Sequence, residues 1–96
     1  MKVFQVYMLE CSDDTYYVGL TSDLLKRLRR HESGFYENSY TASRLPVKLV
    51  FNTYCFSFNS AMLTEKQIKK WSRAKKEALI QGKFDELPNL SKKVFD

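Results

Sequence analysis

The stretch "TYYVGLTSDLLKRLRRH", Thr15 to His31, decides the fold because one period gives way to another inside it. Tyr16 to Leu20 are short and β-prone, as the arm of a hairpin is. Ser22 then offers an N-cap with Asp23 in the first turn, and Leu24, Leu25 and Leu28 recur as the buried stripe of a helix. That helix should run to about His31 or Glu32, ahead of Gly34. A rotation of about 100° per residue puts His31 at one edge of the stripe and Arg27 just outside it on the same side. Taken alone, the stretch is a hairpin arm, a tight turn and an amphipathic helix with a solvated basic face.

Upstream, Val3 to Cys11 alternate and "SDDT" has turn chemistry, so the opening reads as a β-hairpin. Tyr7 and Tyr17 share a face only if paired residues have numbers summing to an even value, as with Leu9 opposite Tyr17 and Tyr7 opposite Gly19. That requires an odd-numbered loop or a bulge, which "DDT" can supply. A two-residue turn at Asp13-Asp14 would send the two tyrosines to opposite faces.

Downstream, "SGFYENSYTASRLP" is a loop with the aromatics Phe35, Tyr36 and Tyr40, and Pro46 starts a third strand, "VKLVFNTYCF". Asn59 or Ser60 caps a second helix whose buried stripe is Ala61, Thr64, Ile68 and Trp71, with Lys66, Lys69 and Lys70 toward water. Glu65 falls at the border of that stripe, where it can lean into a cleft or pair with Lys69 one turn on. Ser72 caps a third helix that stops at Gly82, and the polar tail has at most one helical turn. The order is β-β-α-β-α-α. A hairpin cannot stand alone in water, so the expected fold is α/β (α+β), a three-stranded antiparallel sheet flanked by helices.

The 96 residues fit one domain, 1–96, with a core at about 3–82 and a tail at 83–96. No run approaches the ~18 apolar residues of a membrane span, and the N-terminus lacks a signal-peptide pattern, so a soluble, cytoplasmic protein without a membrane partner is expected. Cys11 and Cys55 are far apart with no second pair, as reduced core thiols are. A net charge of +5 and pI near 9.3 favour a polyanionic partner. The charge clusters at Lys26, Arg27, Arg29 and Arg30, and again at Lys69, Lys70, Arg73, Lys75 and Lys76. Solvated helix faces carry the same pattern, so charge alone does not decide the partner. Phosphodiester cleavage needs a carboxylate for a divalent cation, a cation for the developing phosphorane charge and a base for water, and this chain holds that inventory.

"QVYM" around Tyr7, "YVG" at Tyr17-Val18-Gly19, the helix "SDLLKRLRRH", then "SYT…R.PVKLV" and "EKQIKKWSRAKKEALI" resemble the GIY-YIG endonucleases, in particular their small stand-alone bacterial members, over about residues 3–82. Gln5 stands where the motif has glycine and Val6 where it has isoleucine. The resemblance implies an α/β sandwich and single-metal phosphodiester hydrolysis, with Glu65 as ligand to Mg²⁺, or Mn²⁺ in its place. It makes Tyr7 the base or water-positioning phenol with Tyr17 assisting, Arg27 the stabiliser of transition-state charge, and His31 and Tyr40 the supports of proton transfer or phosphate contact. Gly19 is then a structural motif residue, and Asn89 is the nearest counterpart of an asparagine found after the glutamate helix in many members. As a base, Tyr7 would need its pKa brought down from about 10 by a neighbouring cation.

The implied function is metal-dependent endonuclease action on nucleic acid, DNA in preference to RNA, in repair or processing of branched or single-stranded structures, by a monomer or weak dimer. Lys26, Arg30, Lys69, Lys70, Arg73, Lys75 and Lys76 would hold the nucleic acid, and Phe35, Tyr36 and Tyr40 could stack on unpaired bases. The competing readings are a non-catalytic nucleic-acid-binding module on the same fold, and a subunit whose basic surface docks an acidic partner.

Overall fold

The computed structural model describes residues 2–33 and 40–83. Three strands, β1 (Phe4–Glu10), β2 (Tyr16–Thr21) and β3 (Lys48–Cys55), alternate with the helices α1 (Leu24–Glu32), α2 (Phe58–Lys69) and α3 (Arg73–Ile80) in the expected order. One 3₁₀ turn, Ala42–Arg44, interrupts the loop before β3. The sheet is antiparallel with strand order β2-β1-β3.

The hairpin turn sets the register. Cys11 N–H donates to the Thr15 carbonyl (2.8 Å) and Asp14 N–H to the Cys11 carbonyl (3.0 Å), and Asp14 has φ 65. This is a three-residue loop with a left-handed residue closing it. The Asp13 carboxylate pins it by accepting from the Thr15 hydroxyl at 2.6 Å and the Thr15 N–H at 3.2 Å. An odd loop makes Leu9 pair with Tyr17 and Tyr7 with Gly19, so both tyrosines fall on one face.

Alternation along β1 then divides the molecule. Val6, Met8 and Val18 turn to one face and pack with Cys55, Ala61, Ile68, Ala78 and Leu79, which places α2 and α3 over that side. Tyr7, Leu9, Tyr17 and Gly19 turn to the other, where α1 delivers His31. The central strand is buried on both sides: Val6, Tyr7, Met8 and Leu9 are all fully covered.

Three local expectations are corrected. Asp23, not Ser22, caps α1, its carboxylate accepting from Lys26 N–H at 3.1 Å; β2 runs on through Thr21 and a carboxylate serves the helix dipole as well. Ser57, not Asn59 or Ser60, caps α2 by accepting from Ser60 N–H at 3.1 Å. The first turn of α2 was hidden from its periodicity because Phe58 packs edge-on against Phe4 (5.6 Å) while remaining half exposed. The leucine stripe of α1 is not buried as a unit: Leu25 is 60% exposed and Leu24 and Leu28 are half-buried, whereas His31 is 2% exposed. The helix docks through its last turn, onto an aromatic surface.

Other expectations hold. Ala61, Thr64 and Ile68 are buried, with Trp71 half-buried just past the end of α2. Ser72 caps α3, and Gly82 (φ 74) ends it as Lys83 N–H returns to the Ala78 carbonyl at 2.9 Å. Cys11 and Cys55 are free and buried. Gly34, Phe35, Tyr36, Asn89 and the tail beyond 83 lie outside the described residues. No described helix is long and apolar enough to cross a membrane.

Candidate active site

The site begins at Gly19. A Cβ there would stand within 2.8 Å of Tyr7 Cε1 and closer still to Cζ and the hydroxyl, so only glycine opposite Tyr7 lets its ring lie flat across β2. The ring is thereby aimed at α1. Tyr7 Oη lies 2.9 Å from His31 Nε2, and His31 Nδ1 lies 2.8 Å from Thr41 Oγ1. All three residues are buried, with Tyr7 and Thr41 fully so. Among the described residues no buried side-chain nitrogen or oxygen is left without a partner.

Burial chiefly, with the Arg27 charge beside it, holds the His31 pKa below the ordinary 6.5. The imidazole is therefore neutral at pH 7 and carries one ring proton. It can accept from Tyr7 while donating to Thr41, or donate to Tyr7 while accepting from Thr41. A row of this kind can pass a proton in either direction.

Tyr17 forms the outward wall. It is half-buried, its ring 5.2 Å from that of His31, 6.3 Å from that of Tyr7, and stacked at 6.3 Å and 26° on Tyr40. Tyr40 is 40% exposed and carries the Arg44 guanidinium 3.8 Å from its ring centroid. Arg44 also donates to the Tyr40 carbonyl (2.8 Å) and to Asp13 (2.9 Å), tying this loop to the hairpin turn. Tyr16, Tyr17, Val18 and Tyr40 form a cavity of about 250 Å³ that Lys69 and Lys76 complete from the opposite layer, at the outer edge of β2. Lys26, Arg27 and Arg30 line another concavity, about 300 Å³, with Thr21, Ser22 and Asp23 at the far end of the same strand.

Glu65 sits on α2, which packs against β2. Its side chain is 19% exposed and Oε2 lies 3.6 Å from Lys69 Nζ, so both halves of the sequence reading apply: a border carboxylate, paired one turn on. At that length the pair is a charge contact and not a hydrogen bond, which leaves the carboxylate able to exchange its partner for a metal ion. Among the described residues no three of His, Cys, Asp and Glu cluster. Glu65 would be the carboxylate offered to a hard divalent ion, and Mg²⁺ accepts sites built on one or two carboxylates.

The structure thus brings together Tyr7, Tyr17, His31 and Tyr40, with Arg27 beside His31 and Lys69 joining Glu65 to the aromatic cavity. Lys70 lies apart with Leu63, Lys66 and Gln67, and Lys75 is exposed. Arg73 is engaged within the molecule, donating to the Asp14 carbonyl, 3.3 Å from Glu77 and 4.8 Å from the Tyr16 ring centroid. Sequence reasoning missed Thr41 and Arg44. The only signal was their place in "SYT…R.PVKLV", which carries no periodicity.

The GIY-YIG catalytic domain matches residues 3–78, and the chain belongs to the GIY-YIG family. Within it the chain is similar to UPF0213 proteins. That of Syntrophus aciditrophicus is 51% identical over 76 residues, 79% of this chain and 87% of the relative. That of Halobacterium salinarum is 46% identical over 75 residues, 78% of this chain and 96% of the relative. Among solved structures, the solution NMR structure of the UPF0213 protein BH0048 from Bacillus halodurans superposes with a TM-score of 0.54 at 39% identity, covering 82% of this chain and 83% of that one.

Proposed function

We propose that the protein is a metal-dependent endonuclease that hydrolyses phosphodiester bonds of nucleic acid, DNA in preference to RNA, with branched or single-stranded structures as its substrates in repair or processing. The observation that carries this is the buried row Tyr7, His31 and Thr41, against which Tyr17, a wall of the neighbouring cavity, packs its ring, in a chain of this family. Tyr7 takes the proton of the attacking water. Its own phenol proton passes to His31 Nε2, in the tautomer whose Nδ1–H is donated to Thr41, so the proton ends on the imidazole. Arg27 meets the charge that builds on the phosphorane oxygens. Tyr17 orients the water, Tyr40 backs it, and Lys26, Arg30, Lys69 and Lys76 hold flanking phosphates. Glu65 would hold Mg²⁺, or Mn²⁺ in its place, which would supply charge neutralisation at the scissile phosphate. The unit works as a single domain, as a monomer or weak dimer in the cytoplasm.

The test is cleavage of labelled single-stranded, duplex and branched DNA and RNA, with Mg²⁺, with Mn²⁺ and with chelator, beside Glu65→Gln. Wild type should cut only with a divalent ion, and the variant should bind but not cut. The binding-module reading draws on one observation, that Glu65 already has Lys69 as partner. Tight, salt-sensitive binding without cleavage by wild type on any substrate would favour it.

A further inference from the structure

On the aromatic face of the sheet, but on the β3 side of α1, lies a concavity of about 510 Å³ that the proposed chemistry does not use. Its floor is Gln5, Asn52 and Tyr54. Gln5 pairs with Tyr54 across β1 and β3, and Asn52 with Tyr7, so all three project to this side. Leu25 and Leu28 of α1 form the wall, and Asp23 stands at the rim.

Each group is unengaged in a way that suits one kind of ligand. Among the described residues neither the Gln5 nor the Asn52 amide has a hydrogen-bond partner, and the Tyr54 ring, 62% exposed, has no ring or cation against it. Two amides offering a donor and an acceptor beside an open aromatic face match the edge and the plane of a nucleobase. An apolar peptide would cover both amides without satisfying them. A phosphate would find no cation among the residues that line this concavity. Phosphates instead have Lys26, Arg27 and Arg30 in the adjoining concavity, which shares Ser22 and Asp23 with this one, so a single strand can lay its backbone in one and a base in the other.

We propose that this concavity seats one unpaired base of the bound strand, stacked on Tyr54 with its edge read by Gln5 and Asn52, and that adenine fits best. Asparagine and glutamine amides pair bidentately with the adenine edge. This rests on the nucleic-acid reading above and makes the protein a reader of single-stranded sequence at a position away from the scissile bond. Gln5 stands where the family motif has glycine, so an amide at this position is the chain's own.

The experiment is fluorescence anisotropy with labelled single-stranded DNA of equal length, oligo-dA, oligo-dC and oligo-dT, and oligo-dA with an abasic position scanned along it. Wild type should prefer oligo-dA and lose affinity at one abasic position. Tyr54→Ala should weaken oligo-dA binding on the order of 10-fold, the scale of one base stack, and Tyr54→Phe should retain it. The double variant Gln5→Ala/Asn52→Ala should bind the three oligomers alike. All these side chains are at least partly exposed, and a thermal melt confirms that the variants fold. Wild type binding without base preference, or Tyr54→Ala discriminating as wild type does, overturns the inference and leaves the nuclease reading standing. No binding of any oligomer by wild type also overturns the inference, and the nuclease reading then falls only if the branched and duplex substrates go uncut as well.

Discussion

The two faces of the sheet come from the same strands and are stabilised differently. Even positions of β1 and β2, Val6, Met8 and Val18, meet Ile68, Ala78 and Leu79 in a surface where each side chain touches many others and no single atom is decisive. Odd positions, Tyr7, Tyr17 and Gly19, meet His31 and Thr41, where hydrogen bonds of 2.9 Å and 2.8 Å join Tyr7 to His31 and His31 to Thr41. Burial is equally complete on both sides at Tyr7 and Met8. One face converts burial into stability, and the other holds a hydrogen-bonded row in a fixed geometry.

That contrast can be broken by mutation. The largest loss of stability is expected on the apolar face: Ile68→Ala should cost about 2–5 kcal/mol by urea denaturation. Its cleavage rate, measured below the new midpoint, should stay within a few-fold of wild type. A collapse of cleavage without unfolding would mean that the faces are not separable.

Gly19→Ala should cost about 1–3 kcal/mol, since the new methyl meets the Tyr7 ring and something must shift. Unlike Ile68→Ala it should also slow single-turnover cleavage, because the displaced ring carries the proposed base. A stable, fully active variant would show that the Tyr7 position is not set by Gly19.

The acid limb of stability sharpens the comparison further. His31 has a folded-state pKa below the 6.5 of the unfolded chain, so as pH falls through that value the unfolded state takes up a proton that the folded state does not. The stability this group contributes is present above about pH 6.5 and is lost as pH falls toward the folded pKa. His31→Gln should flatten the fall in melting temperature between neutral and mildly acid pH. An unchanged slope would assign the acid sensitivity elsewhere.

The smallest effect belongs to the rim. Lys69→Met removes an i,i+4 pair and should change stability by no more than about 0.5 kcal/mol. If Lys69 holds phosphate, the salt dependence of binding should weaken by about one unit of slope in a log–log plot. A steep loss of stability would instead make the pair part of the fold.

Much of this was legible in the sequence, for identifiable reasons. The pairing of Tyr7 with Gly19 follows from a two-residue period and an odd loop, and the Glu65–Lys69 pair follows from helical spacing. The burial of His31 was masked because three leucines define the apolar stripe of α1, while the helix docks on an aromatic surface through its last turn. Arg44 meets Asp13 across 31 residues, and Thr41 meets His31 from a loop without periodicity, so no local pattern could announce either. Caps slipped by one to three residues because Ser22, Asp23, Ser57, Asn59 and Ser60 are all competent caps, and tertiary packing chose among them.

The most direct test of the central claim is single-turnover cleavage by Tyr7→Phe on the best-cut substrate, with affinity for the same oligonucleotide measured alongside. The proposed role predicts unchanged affinity with cleavage slower by about 10²- to 10⁴-fold, the scale of a lost general base. Wild-type cleavage by Tyr7→Phe would contradict it and remove the Tyr7–His31–Thr41 row from the reaction.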